Sequence, residues 1–164
     1  MLSRAECNTL YRKHAPGAFR RAQRMLGSVA DADDVVHDVF LALFERYDQF
    51  RGASSLSTYL YSAVTHACLN RIRNHRRRDL SRVRQQVAGP SCDPGTSAEA
   101  SVLARDLLER LPDRLAEVAV YHHLDQLTQR EIAGILGCSH THVAHLIERL
   151  SSWARQQERT TCPP

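Results

Sequence analysis

Apolar residues that return at three- and four-residue intervals, on either side of one proline- and glycine-rich break, constrain this chain more than any other feature of its sequence. After Asp31, the side chains Val35, Val36, Val39, Phe40, Leu43 and Phe44 fall on one stripe of a helix. A second stripe, Leu60, Val64, Ala67, Cys68 and Ile72, predicts a helix from about Ser57 to Arg78, with Gly52 and the serines at 54, 55 and 57 marking the loop before it. Upstream, the spacing predicts two shorter helices, Leu10 to Lys13 and Pro16 to Leu26, with Pro16 at a first-turn position. Downstream of the break, helices are predicted over 99–111, 113–124, 129–136 and 140–157. No alternation of strand period competes.

The break lies in residues 86–98, where Gly89, Pro90, Pro94 and Gly95 stand among small polar residues with no hydrophobic period. The expected fold is therefore all-α. Two small helical domains, 1–85 and 99–164, are joined by a flexible linker, and the second contains a helix-turn-helix.

Charge divides along the same line. Residues 1–85 carry 15 Lys+Arg against 8 Asp+Glu, while residues 86–164 carry 7 against 10. A basic half points to a polyanionic partner, and an acidic half to weak non-specific attraction for nucleic acid. No apolar run approaches the roughly 20 residues needed to cross a bilayer, so membrane insertion is not expected. Met1 to Glu6 shows no basic flank with an apolar core, and a cytoplasmic location is expected. The five cysteines are scattered and never form C-x-x-C, which argues against a disulfide framework or a zinc ribbon.

Thr128 and Glu131 fit a capping box, Gly137 suits a left-handed helix end, and Ser139 suits the N-cap of the next helix. The result is helix, short turn, helix, with Ala133 small enough for a close crossing and Val143, Leu146 and Ile147 facing inward. Its expected DNA contacts are Thr128, Arg130, Ser139, His140, Thr141, His142, His145 and Arg149. In the first half, seven Arg stand against one acid between Arg71 and Arg84, beginning inside a helix. Such a run can track phosphates, while Asn70, Asn74 and His75 can bond base edges. Phe50, Tyr59 and Tyr61 lie just before it, and aromatics beside a basic helix can stack unpaired bases. Cys138, His142 and His145 share a helix face, but no fourth ligand accompanies them and a metal site is not expected. No nucleophile with its base, phosphate-cradling glycine loop or paired-carboxylate site is present, so neither an enzyme nor a cofactor is expected.

Residues 31–44, 50–61, 107–118 and 131–139 together resemble the extracytoplasmic-function sigma factors of the sigma-70 family, in the family's order on either side of a linker. The resemblance implies two helical modules, regions two and four. It implies a transcription initiation factor that binds bacterial core RNA polymerase through its clamp and flap elements, recognises promoter DNA, helps melt it and is held in check by an anti-sigma factor. Carried over by position, Asp31, Asp34, His37 and Asp38 belong to the polymerase-docking surface, with His37 where a Gln is usual. Phe50, Arg51, Ser54, Ser55, Tyr59, Tyr61, His66, Asn70, Arg71, Arg73, Asn74 and Arg77 belong to the surface that reads the minus-ten element and holds the melted strand, with Tyr59 where a Trp is common. Similar proteins carry Lys and Arg where Ala144 and Leu146 stand, so the helix-turn-helix is expected to read DNA weakly or through His140, His142 and His145. Two alternatives remain beside this reading. One is a stand-alone helix-turn-helix regulator; the other is a degenerate sigma-like protein that sequesters polymerase or an anti-sigma factor.

Overall fold

The computed structural model describes residues 3–47, 55–82 and 98–161, with side chains over 3–47, 55–74 and 104–157. The described elements are all helical: α1 (Arg4–Leu26), α2 (Val29–Glu45), α3 (Leu56–Arg82), α4 (Ala98–Arg110), α5 (Asp113–Ala119), which runs on into a single π-helical turn (Val120–Leu124), α6 (Gln129–Leu136) and α7 (His140–Thr161). The chain divides into two compact units, Met1–Asp106 and Leu107–Pro164, so the division falls inside α4. The expected linker, apart from Ala98, lies outside the described residues.

In the first unit α1, α2 and α3 pack on one another. The two short N-terminal helices expected from the sequence are one helix. Ser3 caps it and forms a reciprocal box with Glu6. Pro16 lies inside it on an exposed face, where the ring meets solvent and the missing donor interrupts a single rung. Ala15, Ala18 and Ala22 line its buried side and let neighbouring helices approach closely. Gly27, at φ 66°, closes α1 through a bond from its N–H to the Gln23 carbonyl at 2.7 Å, and Ser28 at once caps α2. The core is Ala22, Ala32, Val36, Phe40, Leu43, Val64 and Cys68, all 0–2 % exposed, which is the apolar stripe of each helix turned inward. Tyr11 meets Phe40 edge-on at 4.8 Å, and Phe44 flanks Phe40 at 5.8 Å.

In the second unit α7 packs on α5 and α6. Leu115, Val118, Val120, Tyr121, Ile132, Val143, Leu146 and Leu150 form its core. The helix expected over 113–124 changes to π geometry at Val120, with Asp125 N–H reaching back to the Val120 carbonyl at 3.0 Å. The chain then turns through Gln126, which adopts a left-handed φ of 56° and donates its side-chain amide to the His123 carbonyl at 2.7 Å. Thr128 and Glu131 form the expected capping box, Gly137 is left-handed at φ 63°, and the Ser139 hydroxyl accepts the His142 N–H at 3.2 Å. The helix-turn-helix expected from the sequence is present.

Candidate polymerase and nucleic-acid surfaces

Two outward faces of the first unit carry expected site residues. On α2, the face opposite the valine and phenylalanine stripe carries Asp34, His37 and Asp38, all exposed. Asp31 begins the same face but is half-buried, its N–H bonded to the Ser28 cap. Sequence reasoning missed Leu41 on this face. It is 48 % exposed beside Asp34, His37 and Asp38, and an apolar side chain ringed by charge is the usual anatomy of a contact centre. The signal was available, since Leu41 lies off the apolar stripe of its own helix.

On α3, Leu60, Val64, Cys68 and Ile72 are buried. The opposite side carries Tyr59, His66, Asn70 and Asn74 at seven-, four- and four-residue steps, with Arg73 half-buried beside them. A stacking ring and three groups able to bond bases are therefore in line along roughly 22 Å of helix, at about 1.5 Å rise per residue. Arg77 continues the register on α3, its side chain outside the described residues, while Phe50, Arg51 and Ser54 fall outside them altogether. The Ser55 hydroxyl accepts the Thr58 N–H at 3.1 Å and so caps α3.

Arg71 and Tyr61, both expected to meet nucleic acid, are engaged with charged side chains of the protein. The Arg71 guanidinium donates Nε and Nη2 to Asp31 Oδ1 at 3.0 and 2.7 Å, and Nη2 to Asp34 Oδ2 at 2.7 Å. This clasp ties α3 to the start of α2, and the Asp31 bond above all, with the bond to Asp34, holds the guanidinium pKa above its ordinary value. Tyr61 is half-buried, and the Arg21 guanidinium lies over its ring at 3.6 Å, occupying one stacking face. Arg21 also donates Nε and Nη2 to the Thr65 hydroxyl at 2.9 and 2.8 Å, and Thr65 donates to the Tyr61 carbonyl at 2.8 Å. The buried hydroxyl of Thr65 is thus satisfied by its own helix and by α1. Beneath it, burial pushes the Cys68 thiol up to about 12, against a smaller opposing pull from Arg21.

In the second unit, Thr128, Arg130, Ser139, His140, Thr141, His142, His145 and Arg149 are all exposed. The hydroxyls of Thr128 and Ser139 serve as helix caps. Leu146 is 3 % exposed in the core, as its helical spacing predicts, so this chain offers no side chain to DNA at that position. The glutamate Glu117, 2 % exposed, is paired at 3.0 Å with Arg114. Burial, then the neighbouring His122 charge, holds the His123 pKa below its ordinary value. Among the described residues no three His, Cys, Asp or Glu side chains are grouped to hold a metal ion, and no helix is long and apolar enough to cross a membrane.

Residues 10–78 match the family described as sigma-70 region 2, and residues 101–150 match sigma-70 region 4. The ECF RNA polymerase sigma factor SigG of Mycobacterium tuberculosis (strain ATCC 25618 / H37Rv) is 32 % identical over 172 residues, spanning 85 % of this chain and 44 % of that protein. The chain thus spans under half the length of SigG. The ECF RNA polymerase sigma factor SigW of Bacillus subtilis (strain 168) is 28 % identical over 154 residues, spanning 86 % of this chain and 82 % of that one. Among solved structures, CnrH in complex with the cytosolic domain of CnrY aligns with a TM-score of 0.53 at 22 % identity, covering 96 % of this chain and 91 % of that chain. The sigma factor RpoE, in complex with the anti-sigma factor NepR from Bartonella quintana, aligns at 0.55 and 16 % identity, covering 96 % and 98 %. Both share the fold. With a region 2 three-helix unit and a region 4 helix-turn-helix in the family's order, the chain belongs to the sigma-70 family, among its extracytoplasmic-function sigma factors.

Proposed function

We propose that this chain is a transcription initiation factor that binds bacterial core RNA polymerase in the cytoplasm and directs it to promoter DNA. The polymerase performs the chemistry and the chain itself is not an enzyme. In this reading residues 1–85 act as region 2, residues 86–98 as the linker and residues 99–164 as region 4. The outward face of α2 (Asp34, His37, Asp38 and Leu41) docks on the polymerase clamp. The α3 stripe of Tyr59, His66, Asn70 and Asn74 takes the minus-ten element and its melted strand, together with Arg73 and the arginines that follow. The observation that carries the proposal is this pairing of two outward faces on one rigid three-helix unit: an acidic face with an apolar centre, and a polar and aromatic stripe that leads into a basic run. Extracting a base from the stack costs a few kcal/mol, which stacking and phosphate contacts offset. An anti-sigma protein is the natural antagonist, covering one or both faces.

The test is competition with a housekeeping sigma factor for bacterial core polymerase. The wild-type chain displaces the competitor, and Asp38→Arg, a charge reversal at an exposed position, loses at least tenfold in that displacement. If the wild type does not bind core at all, the reading fails, and a stand-alone regulator of duplex DNA takes its place.

A further inference from the structure

The recognition helix of the second unit lacks what such a helix ordinarily brings to DNA. From Ser139 to Ile147, the first two turns of α7, there is no Lys, Arg, Asp or Glu, and the ionisable side chains are three histidines, His140, His142 and His145, all exposed. The buried side of these turns is Val143 and Leu146. Thr141 and Ala144 stand with the histidines outside the core, so most of the outer surface of the turns that enter a groove is imidazole. Permanent charge enters only at Glu148, whose Oε2 lies 3.7 Å from His145 Nδ1, a distance that makes an ion pair when the imidazole is protonated, and at Arg149.

The elements packed on α7 do not supply the missing cation in quantity. α5 contributes Asp113, Arg114 and Glu117, of which Arg114 and Glu117 bond each other. The turn after it holds His122, His123 and Asp125, and α6 contributes Arg130 and Glu131, with Glu131 bonded to the Thr128 cap. Residues 107–164 as a whole carry 6 Arg and no Lys against 7 Asp+Glu, and they hold five of the chain's nine histidines. Their net charge with neutral histidines is therefore slightly negative, and protonated histidines reverse it. Imidazole is the side chain that changes charge between about pH 5 and 8, and DNA binding scales steeply with the number of phosphates a protein neutralises.

We infer that the helix-turn-helix of this protein engages duplex DNA in a proton-linked manner, His140, His142 and His145 supplying as imidazolium the positive charge and paired donors that a recognition helix ordinarily takes from Arg and Lys. The inference rests on the reading of residues 99–164 as a DNA-binding module. It makes acidification of the cytoplasm a direct input to upstream promoter contact, with no separate sensor. The sign follows from linkage. Phosphates favour the protonated imidazole, so binding takes up protons and affinity rises as pH falls.

The experiment uses the full chain bound to core polymerase and a labelled 40-base-pair duplex, drawn from the pool this complex enriches out of random sequence at pH 6.0. Affinity is measured at pH 6.0 and 8.0 for wild type, for the triple variant His140→Gln, His142→Gln and His145→Gln, and for the corresponding triple Arg variant. All three positions are exposed, and the thermal melts of the variants serve as the check on folding. The wild type binds about tenfold or more tightly at pH 6.0 than at 8.0, an effect that shrinks at high salt. The Gln variant is weak and flat with pH, while the Arg variant is tight and flat. A wild type that binds equally at both pH values and matches the Gln variant overturns the proton linkage and leaves the DNA-binding reading intact. If the Arg variant too gains nothing over the Gln variant, α7 does not face DNA and the reading of this module fails with it.

Discussion

Arg71 offers the sharpest separation between a residue that holds the protein together and one that holds DNA. Its guanidinium makes three charge-assisted bonds to Asp31 and Asp34, but the surroundings are only partly shielded: the side chains of Arg71, Asp31 and Asp34 are 29 %, 24 % and 62 % exposed. A net hydrogen bond to a charged group is worth about 1.5–3 kcal/mol when sheltered, and an exposed ion pair about 0.2–1. The half-sheltered Asp31 bonds sit between these limits and the Asp34 bond near the lower one, so Arg71→Gln should destabilise the first unit by about 1–2 kcal/mol. For a unit of this size that is a fall of about 5–10 °C in its melting transition, read by calorimetry on the full chain. Asn70→Ala, on the exposed stripe of the same helix, should leave the transition in place. An Arg71→Gln protein that melts within a degree of wild type, yet binds promoter DNA poorly, would refute the clasp and return this side chain to the nucleic-acid surface.

Four further outcomes are expected. Leu41→Asp should leave the melting transition unchanged, because Leu41 is exposed, and should weaken competition for core polymerase about tenfold or more; unchanged competition would remove Leu41 from the docking face. Thr128→Ala should cost the second unit about 1 kcal/mol by opening the capping box. The Thr128 bonds hold the Glu131 pKa below its ordinary value, so this cap's contribution is present above the ordinary glutamate value and is lost as pH falls through the lowered folded one; a pH series of melts checks both. Burial of His123 runs the same way in a higher window. The folded state takes its proton less readily than the unfolded one, so the second unit should lose stability as pH falls below about 6.5, and His123→Gln should flatten that slope. Finally, iodoacetamide at pH 8 should label the partly exposed Cys7 and Cys138 in the native protein and reach Cys68 only on unfolding; rapid native labelling of Cys68 would contradict its burial.

What the sequence made legible was whatever repeats or punctuates within one helix. The stripes of α2, α3 and α7, the Thr128 box and the left-handed Gly137 all follow from spacing, and so does the all-helical fold. The error at α1 came from reading Pro16 as a boundary, when the same signature that marks α6, a hydroxyl residue followed three positions later by Glu, stands at Ser3 and Glu6. Partners distant in sequence were not legible. Arg71 lies forty residues from Asp31 and Arg21 forty-four from Thr65, and no local period announces either bond. The π-helical turn at Val120 and the left-handed Gln126 likewise depend on how α5 meets the helices beside it. At Leu146 periodicity was the better guide: the spacing turned this side chain inward, where it is buried, although the resemblance implied a cation at that position.

The alanines along α1 carry a consequence of a different kind. Ala15, Ala18 and Ala22 face inward, and Ala32 of α2 is wholly buried too, so the spacing of these helices is set by side chains that are nearly absent. A seam of this sort tolerates almost no added volume, since each extra methylene must push backbone against backbone. The residues proposed to meet other molecules stand on the exposed sides of α2 and α3. On the proposed reading, substitutions on those exposed faces change what the protein meets without adding volume to the alanine seam that sets its helix spacing.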